Sequence, residues 1–353
     1  MPASNPKNEG RVLREPTIRD VYEAKEIVSQ HLLRTPFLRS STLSQALGFH
    51  AYVKYENLQI TGAFKVRGGI NLLMSLSEEE KRRGVVTAST GNHGQSIAYA
   101  ASLFGVKAVI AMPEGANPLK VAAIRRLGGE TVFRGKDFDA ARVWAEEEAQ
   151  RSGYRYVHSG NEPRLIAGVG TLYLELMEDE ADIDTILVPV GGGSGASAAC
   201  IVAQHVNPET RVIGVQAEKA PSVYLSWKSG KRVETDSADT FAEGLATRAP
   251  FRLPLQIMRR LLSDFVLVSE EELEQAVITL FEATHQVAEG AGAAATAAAF
   301  KLRGRLKGRK VGIILSGGNL TLDQLRVLLS RAGRNAEGGC RVTRAGGRHH
   351  PIP

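Results

Sequence analysis

Short β-branched apolar runs alternate with amphipathic stretches along nearly the whole chain, and this alternation predicts an α/β protein built on parallel sheets. Strands are expected at residues 51–55, 84–88, 108–112, 131–133, 185–190, 212–216 and 311–315. Helices are expected at 17–31, 64–76, 93–104, 118–127, 137–152, 165–178, 270–284 and 292–302. With 353 residues, 43% of them hydrophobic, the chain is long enough for two cores. The strand–helix pairs between about 85 and 156 read as a small domain inserted into a larger one. The expected organisation is a tail at 1–16, a large domain at 17–84 and 160–332, a small domain at 85–159 and a disordered basic tail at 333–353. The site belongs in the cleft between the two domains.

Several function classes recede at this point. No apolar run approaches the roughly 20 residues that span a membrane, and the polar start of the chain does not resemble a signal peptide. Cys200 and Cys340 are the only cysteines; they give no disulfide framework and fit a cytoplasmic protein. The net charge of +6 is fed by Arg331, Arg334, Arg341, Arg344 and Arg348, with few aromatics between them. That composition describes a solvated tail rather than a nucleic-acid platform. The acidic run 146–148 reads as a solvated helix face.

A few segments carry the candidate chemistry. Gly191-Gly192-Gly193-Ser194-Gly195 separates the apolar run 185–190 from an Ala/Ser-rich helix at 196–205. Glycines let backbone amides approach a phosphate, and a helix N-terminus adds a favourable dipole. Taken alone, the run equally describes a tight turn; it is neither a P-loop nor a clean dinucleotide fingerprint. Lys65 starts a helix after Thr61-Gly62 and could form an imine if burial kept it deprotonated, or be a surface charge. Phe64 could cover a flat ring or belong to the core. Ser89-Thr90-Gly91-Asn92-His93-Gly94-Gln95 opens the helix after strand 84–88. Its hydroxyls, amide and N–H groups suit a carboxylate, although Ser89 or Thr90 could instead cap the helix, and His93 could be a base or a packed side chain. Ser316, in Ser316-Gly317-Gly318-Asn319, could aim a neutral hydroxyl at a ring nitrogen or serve the turn. Glu289 opens another helix, where a first-turn carboxylate is favourable in any case. A phosphate cradle, a ring partner and an imine-forming lysine together suggest pyridoxal 5'-phosphate, a cofactor that acts as an electron sink.

In this order, the segments resemble the fold type II pyridoxal phosphate enzymes, in the branch of threonine dehydratases, serine dehydratases and serine racemases. The resemblance covers about residues 17–328. It implies a tryptophan synthase β-like α/β fold, with two three-layer αβα domains. It implies that Lys65 holds the cofactor as an imine and that Phe64 packs on its ring. Gly191, Gly192, Gly193, Ser194 and Gly195 would take the phosphate, Asn92 the phenolic oxygen and Ser316 the pyridine nitrogen, with Gly244 and Glu289 close by. Ser89, Thr90, Gly91, Asn92 and His93 would hold the substrate carboxylate.

The implied reaction is loss of water and then ammonia from L-threonine, with L-serine second, Lys65 taking the α-proton. Racemisation and the dehydration of 3-hydroxyaspartate-type or ectoine-derived amino acids are the alternatives within the family; a dinucleotide-dependent oxidoreductase lies outside it. The partner is a small amino acid, and a homodimer or homotetramer is expected. Ala63, Val169, Ser194 and Gly195 depart from the family pattern, as does Thr90, which weakens the racemase reading. Gln216 and Ser222 stand where related enzymes place carboxylates for a divalent cation, so no metal is expected. Arg142 or Arg248 could meet a second substrate carboxylate. No regulatory C-terminal domain, and hence no isoleucine feedback, is expected.

Overall fold

The computed structural model describes residues 14–338, and side chains through residue 331. Most of the expected tail at 1–16, most of that at 333–353, and Cys340 lie outside the described residues.

Thr17 begins α1 (Ile18–Val28) through a capping box with Asp20. Then come β1 (Phe37–Arg39), α2 (Ser41–Leu47), β2 (His50–Tyr55), α3 (Lys65–Met74) and α4 (Glu78–Arg83). Strand and helix alternate from β3 (Val85–Ala88) through α5 (Asn92–Leu103), β4 (Ala108–Met112), α6 (Pro118–Arg126), β5 (Glu130–Phe133) and α7 (Phe138–Ser152) to β6 (Arg155–Tyr156). α8 (Pro163–Asp179), β7 (Thr185–Pro189), α9 (Ser194–Val206), β8 (Arg211–Ala217), α10 (Ser222–Ser229) and α11 (Arg252–Leu261) follow. β9 (Asp264–Val268), α12 (Glu270–Thr284), α13 (Gly290–Leu302) and β10 (Lys310–Leu315) complete the compact unit that ends at Leu320. α14 (Leu322–Gly338) forms a second unit, begun by Thr321, whose hydroxyl accepts from the Gln324 amide at 3.2 Å. This helix runs past residue 333, where a disordered tail is expected.

Two sheets result. One has the order β1-β2-β10-β7-β8-β9 and is parallel except for the β1–β2 pair. The other has the order β5-β4-β3-β6 and is wholly parallel. Parallel strands covered on both faces need continuous apolar runs, and β10 buries all of 311–315. Nine of the 13 residues of α13 are Ala or Gly, which lets it lie close against β7 and β10. All strands of the four-stranded sheet come from 85–156, yet its core also takes Val66, Ile70 and Leu73 from α3. The helix that carries Lys65 is thus anchored in that core.

All seven expected strands are present, with ends shifted by a residue or so. β1, β6 and β9 are additional. β1 and β6 are only three and two residues long, and pairing rather than pattern defines them. The solvated-face reading of 146–148 needs correction: only Glu147 is exposed, and Glu146 and Glu148 pair with Arg142 and Arg151.

Candidate active site

Three of the segments singled out in the sequence follow the C-terminal ends of parallel strands: Ser89 after β3, Gly191 after β7 and Ser316 after β10. Ligands of open α/β sheets gather at such ends. The lysine segment is stitched to the β10 loop by main-chain bonds. The Phe64 amide donates to the Ser316 carbonyl at 3.1 Å, the Gly318 amide donates to the Gly62 carbonyl at 2.9 Å, and Ala63 bridges Gly317.

Lys65 is the first residue of α3. Its Nζ donates to Ser194 Oγ at 2.9 Å and lies 5.1 Å from the centroid of the Phe64 ring. The side chain keeps a strip of accessible surface, but protein atoms crowd the amine. Burial lowers its pKa to about 8. The Lys65 carbonyl accepts from Ser96 Oγ at 2.7 Å, which ties α3 to α5.

Below α3, Arg67 is fully buried. It makes a bidentate contact with Glu56 at 2.8 Å through Nε and Nη2, and reaches Glu175 at 2.7 and 2.8 Å through Nη1 and Nη2. Lys54 Nζ also donates to Glu175, at 2.6 Å, and Thr35 Oγ1 donates to Glu56, at 2.6 Å. Two cations thus face two carboxylates, so the buried cluster carries no net charge and fixes the start of α3.

Only Gly191, Gly192 and Gly193 form the loop after β7; Ser194 and Gly195 are already the first residues of α9. A Cβ on Gly191 would stand 2.0 Å from the Gly244 carbonyl oxygen, and Gly193 has φ +88°. Both positions therefore require glycine. The first-turn amides of α9 have no acceptor within the helix and point out of its positive end. The Phe251 ring lies against Gly192 and Gly160, while Gly195 faces the Tyr173 hydroxyl and the Phe64 ring.

In the loop after β3, Ser89 takes the capping part that its sequence position also allows. It is buried, and its Oγ accepts from the Gly91 amide at 3.2 Å and the Gly94 amide at 2.9 Å, so its oxygen builds the loop. Thr90, Gly91 and Asn92 remain partly accessible at the start of α5. His93 is buried too. The Thr87 hydroxyl donates to the Val157 carbonyl at 2.7 Å, so at 3.0 Å His93 Nε2 must donate to Thr87 Oγ1. Burial, with Lys65 and His158 adding to it, lowers the His93 pKa to about 3. His93 is therefore a neutral anchor whose Nε2 is committed, not a free base.

Ser316 is buried beside α13, its Oγ 3.5 Å from the Ala291 carbonyl. Gly244 is wedged between Gly191 and Ala291. Glu289 precedes α13; its amide donates to the Gly317 carbonyl at 3.1 Å, and burial raises its carboxyl to about 7. Asn92 Nδ2 donates to Glu289 Oε1 at 2.6 Å, and Asn92 Oδ1 accepts from Asn319 Nδ2 at 2.7 Å. Asn319 Nδ2 also donates to the Thr61 carbonyl at 2.9 Å. Asn319, Thr87, Phe251 and the Arg67 cluster carry no role in the sequence reading. The signal for Asn319 was its place in the same Ser-Gly-Gly-Asn turn as Ser316, and for Arg67 its place two residues after the lysine.

The cations considered for a second carboxylate are engaged elsewhere, Arg142 with Glu146 and Arg248 with Asp139. Gln216 Oε1 accepts from the Tyr224 amide at 3.0 Å, and Ser222 Oγ donates to the Thr247 carbonyl. Among the described residues no group of three His, Cys, Asp or Glu side chains could hold a metal ion, and no helix is long and apolar enough to cross a membrane.

A glycine cradle at a helix N-terminus, a crowded lysine amine and a serine at a neighbouring strand end together define a site for an aldehyde cofactor bearing a phosphate. Residues 28–317 match the pyridoxal-phosphate dependent enzyme family, and the chain belongs to it. It is 40% identical to the L-threonine ammonia-lyase of Thermotoga maritima over 315 residues, 89% of this chain and 78% of that one. Its fold matches the processed threonine deaminase isoform 2 of Solanum lycopersicum with a TM-score of 0.85 at 31% identity, covering 94% of this chain and 99% of the other. The serine racemase of Dictyostelium discoideum matches with a TM-score of 0.81 at 35% identity, over 87% of this chain and 99% of that one.

The residues present fit pyridoxal phosphate. The first-turn amides at the N-terminus of α9 suit a phosphate, and Lys65 lies within hydrogen-bond reach of Ser194 at the same helix end.

Proposed function

We propose that this protein converts L-threonine, and more slowly L-serine, into 2-oxobutanoate or pyruvate and ammonia. The observation that carries the reading is the Lys65 amine, held near neutrality beside Ser194 at the N-terminus of α9. When bound, pyridoxal phosphate acts as an electron sink that acidifies the substrate α-proton.

The chain's own groups do the rest. The amides of Gly191, Gly192 and Gly193 and the start of α9 hold the phosphate, with Ser194 Oγ beside it. Phe64 and Gly195 border the ring, Asn92 offers a donor to the phenolic oxygen, and Gly244 and Glu289 line the same region. Thr90, Gly91 and Asn92 at the start of α5 hold the substrate carboxylate, while Ser89 and His93 keep that loop in shape. Lys65 takes the α-proton once its amine is free. Ser316 offers the ring nitrogen a neutral hydroxyl in place of a charged partner, which moderates the electron sink and favours elimination. Residues 85–159 act as the small domain and close on the larger one to exclude water. The likeness to L-threonine ammonia-lyase supports the choice of substrate.

One methyl group changes affinity by only ~1–3 kcal/mol, so both hydroxy amino acids are turned over. Racemisation is the second reading. The likeness to serine racemase favours it, with Thr90 as the proton carrier on the opposite face. We further propose a cytoplasmic homodimer or homotetramer; gel filtration with light scattering tests the assembly.

Assays of keto acid and ammonia from L-threonine, L-serine and threo-3-hydroxyaspartate, alongside chiral analysis of serine, test the reaction. Release of both products from L-threonine, abolished by Lys65→Ala, is the expected result. A loaded protein that turns over none of them refutes elimination, and D-serine without keto acid selects the second reading.

A further inference from the structure

Asn92 is an amide, so its two ends can exchange places at almost no steric cost. What decides its orientation lies two residues away along a hydrogen-bonded chain. The Thr61 carbonyl can only accept, so the Asn319 atom that faces it at 2.9 Å must be Nδ2. The same Nδ2 faces Asn92 at 2.7 Å, so the Asn92 atom there must be Oδ1. Asn92 therefore turns Nδ2 the other way, where it donates to Glu289 Oε1 at 2.6 Å. Both hydrogens of Asn319 Nδ2 are used. Asn92 Nδ2 has two hydrogens, and among the described residues only Glu289 receives one.

We propose that Asn319 is a positioning residue, which fixes the polarity of the Asn92 amide and thereby keeps its second N–H available to the cofactor's phenolic oxygen. This rests on the reading of Asn92 as the partner of that oxygen. The geometry reaches across the site: Thr61 and Asn319 flank the stitched segment that carries Lys65, Asn92 opens α5, and Glu289 precedes α13. One short chain of side chains thus relates the lysine segment, the carboxylate loop and α13. It also gives a reason for Gly62: a Cβ there would meet Asn319 Oδ1 at 2.5 Å and displace the amide.

The test uses holoenzyme with Asn319→Asp, which is close to isosteric but removes both donated hydrogens. Facing a carboxylate, Asn92 turns its NH2 toward position 319 and its carbonyl toward Glu289, whose buried carboxyl, raised to about 7, then holds the proton it donates to that carbonyl. The readouts are the visible absorption maximum of the holoenzyme, the pH at which that band titrates, and the cofactor dissociation constant from loading of the apoprotein. Asn319→Asp and Asn92→Ala are expected to move the band and its titration in the same direction. Each should weaken cofactor binding at least about tenfold, the loss of one hydrogen bond to a charged oxygen. The double variant should add little to Asn92→Ala alone.

A wild-type band, titration and affinity in Asn319→Asp, while Asn92→Ala shifts them, overturns the proposal. An unshifted Asn92→Ala instead removes the reading of Asn92, and the proposal with it. If Asn319→Asp does not fold, Asn319→Ala is judged by the same criteria, because loss of the donor alone frees the Asn92 amide to rotate.

Discussion

A lysine with a pKa near 8 divides its population between two forms across the pH range of most assays. Only the unprotonated Lys65 amine can attack the cofactor aldehyde. Burial disfavours the ammonium and lowers the pKa, so the reactive fraction grows as pH rises, reaches half at about pH 8 and is nearly complete about one unit higher. Rapid-mixing measurements of cofactor capture by the apoprotein should show a rate that rises about tenfold per unit below pH 8 and levels off above it. A rise that continues to pH 10 would contradict the desolvated amine. His93 should behave oppositely, remaining neutral throughout the assay range with its proton on Nε2. Its ring should show no NMR titration between pH 5 and 8, and His93→Ala should reduce thermal stability without removing a titration near 6.5 from the kcat/KM profile. Lys65 and Phe64 were legible because an imine needs a lysine and the motif around it is unusual. The polarity of Asn92 was not, because it depends on Thr61 and Asn319, which sequence alone does not bring together.

At the level of elements, the loop after β7 has the tightest steric tolerance. Gly191→Ala would drive a methyl group into the Gly244 carbonyl, which is backbone and cannot swing aside. Equilibrium loading should show cofactor affinity falling at least tenfold; near-wild-type affinity would mean that the cradle is not where the phosphate binds. The Arg67 cluster makes a different demand. Arg67→Ala leaves the two carboxylates Glu56 and Glu175 with Lys54 as their one remaining cation, and losing one partner of a buried pair costs ~3–5 kcal/mol. Thermal unfolding should register this as a large drop in Tm, whereas substitution of the exposed Arg14 should change Tm little. The strands of both sheet interiors were readable as apolar runs. α11 was hidden because Pro254 looks like a breaker, although it lies in the first turn, where a missing N–H is harmless. Arg67 and Lys54 gave no sign of burial, since charges enter a core only with partners that the fold supplies from far along the chain.

Across the whole molecule, the layer built on the four-stranded sheet is tied to the segment between α10 and α11 by two ion pairs, Lys120 with Glu243 and Arg248 with Asp139. That segment holds Gly244, the neighbour of Gly191. The double variant Lys120→Ala/Arg248→Ala should raise the KM for L-threonine a few-fold with little change in kcat. Wild type should approach it as salt rises from ~0.05 to ~0.5 M, where screening shortens to a few ångströms. A double variant with an unaltered KM at low salt would show that the proposed closure of residues 85–159 does not draw on these pairs. The order of the six-stranded sheet has a consequence for synthesis. β10 is the last of its strands to leave the ribosome, yet it lies between β2 and β7. Until it emerges, the early β1–β2 pair and the later β7-β8-β9 group each present an open inner edge, the kind of edge that recruits other strands. A nascent chain stalled before residue 310 should therefore depend on chaperones. Because the lysine segment is fastened to the loop after β10, the active site forms only when the sheet is closed.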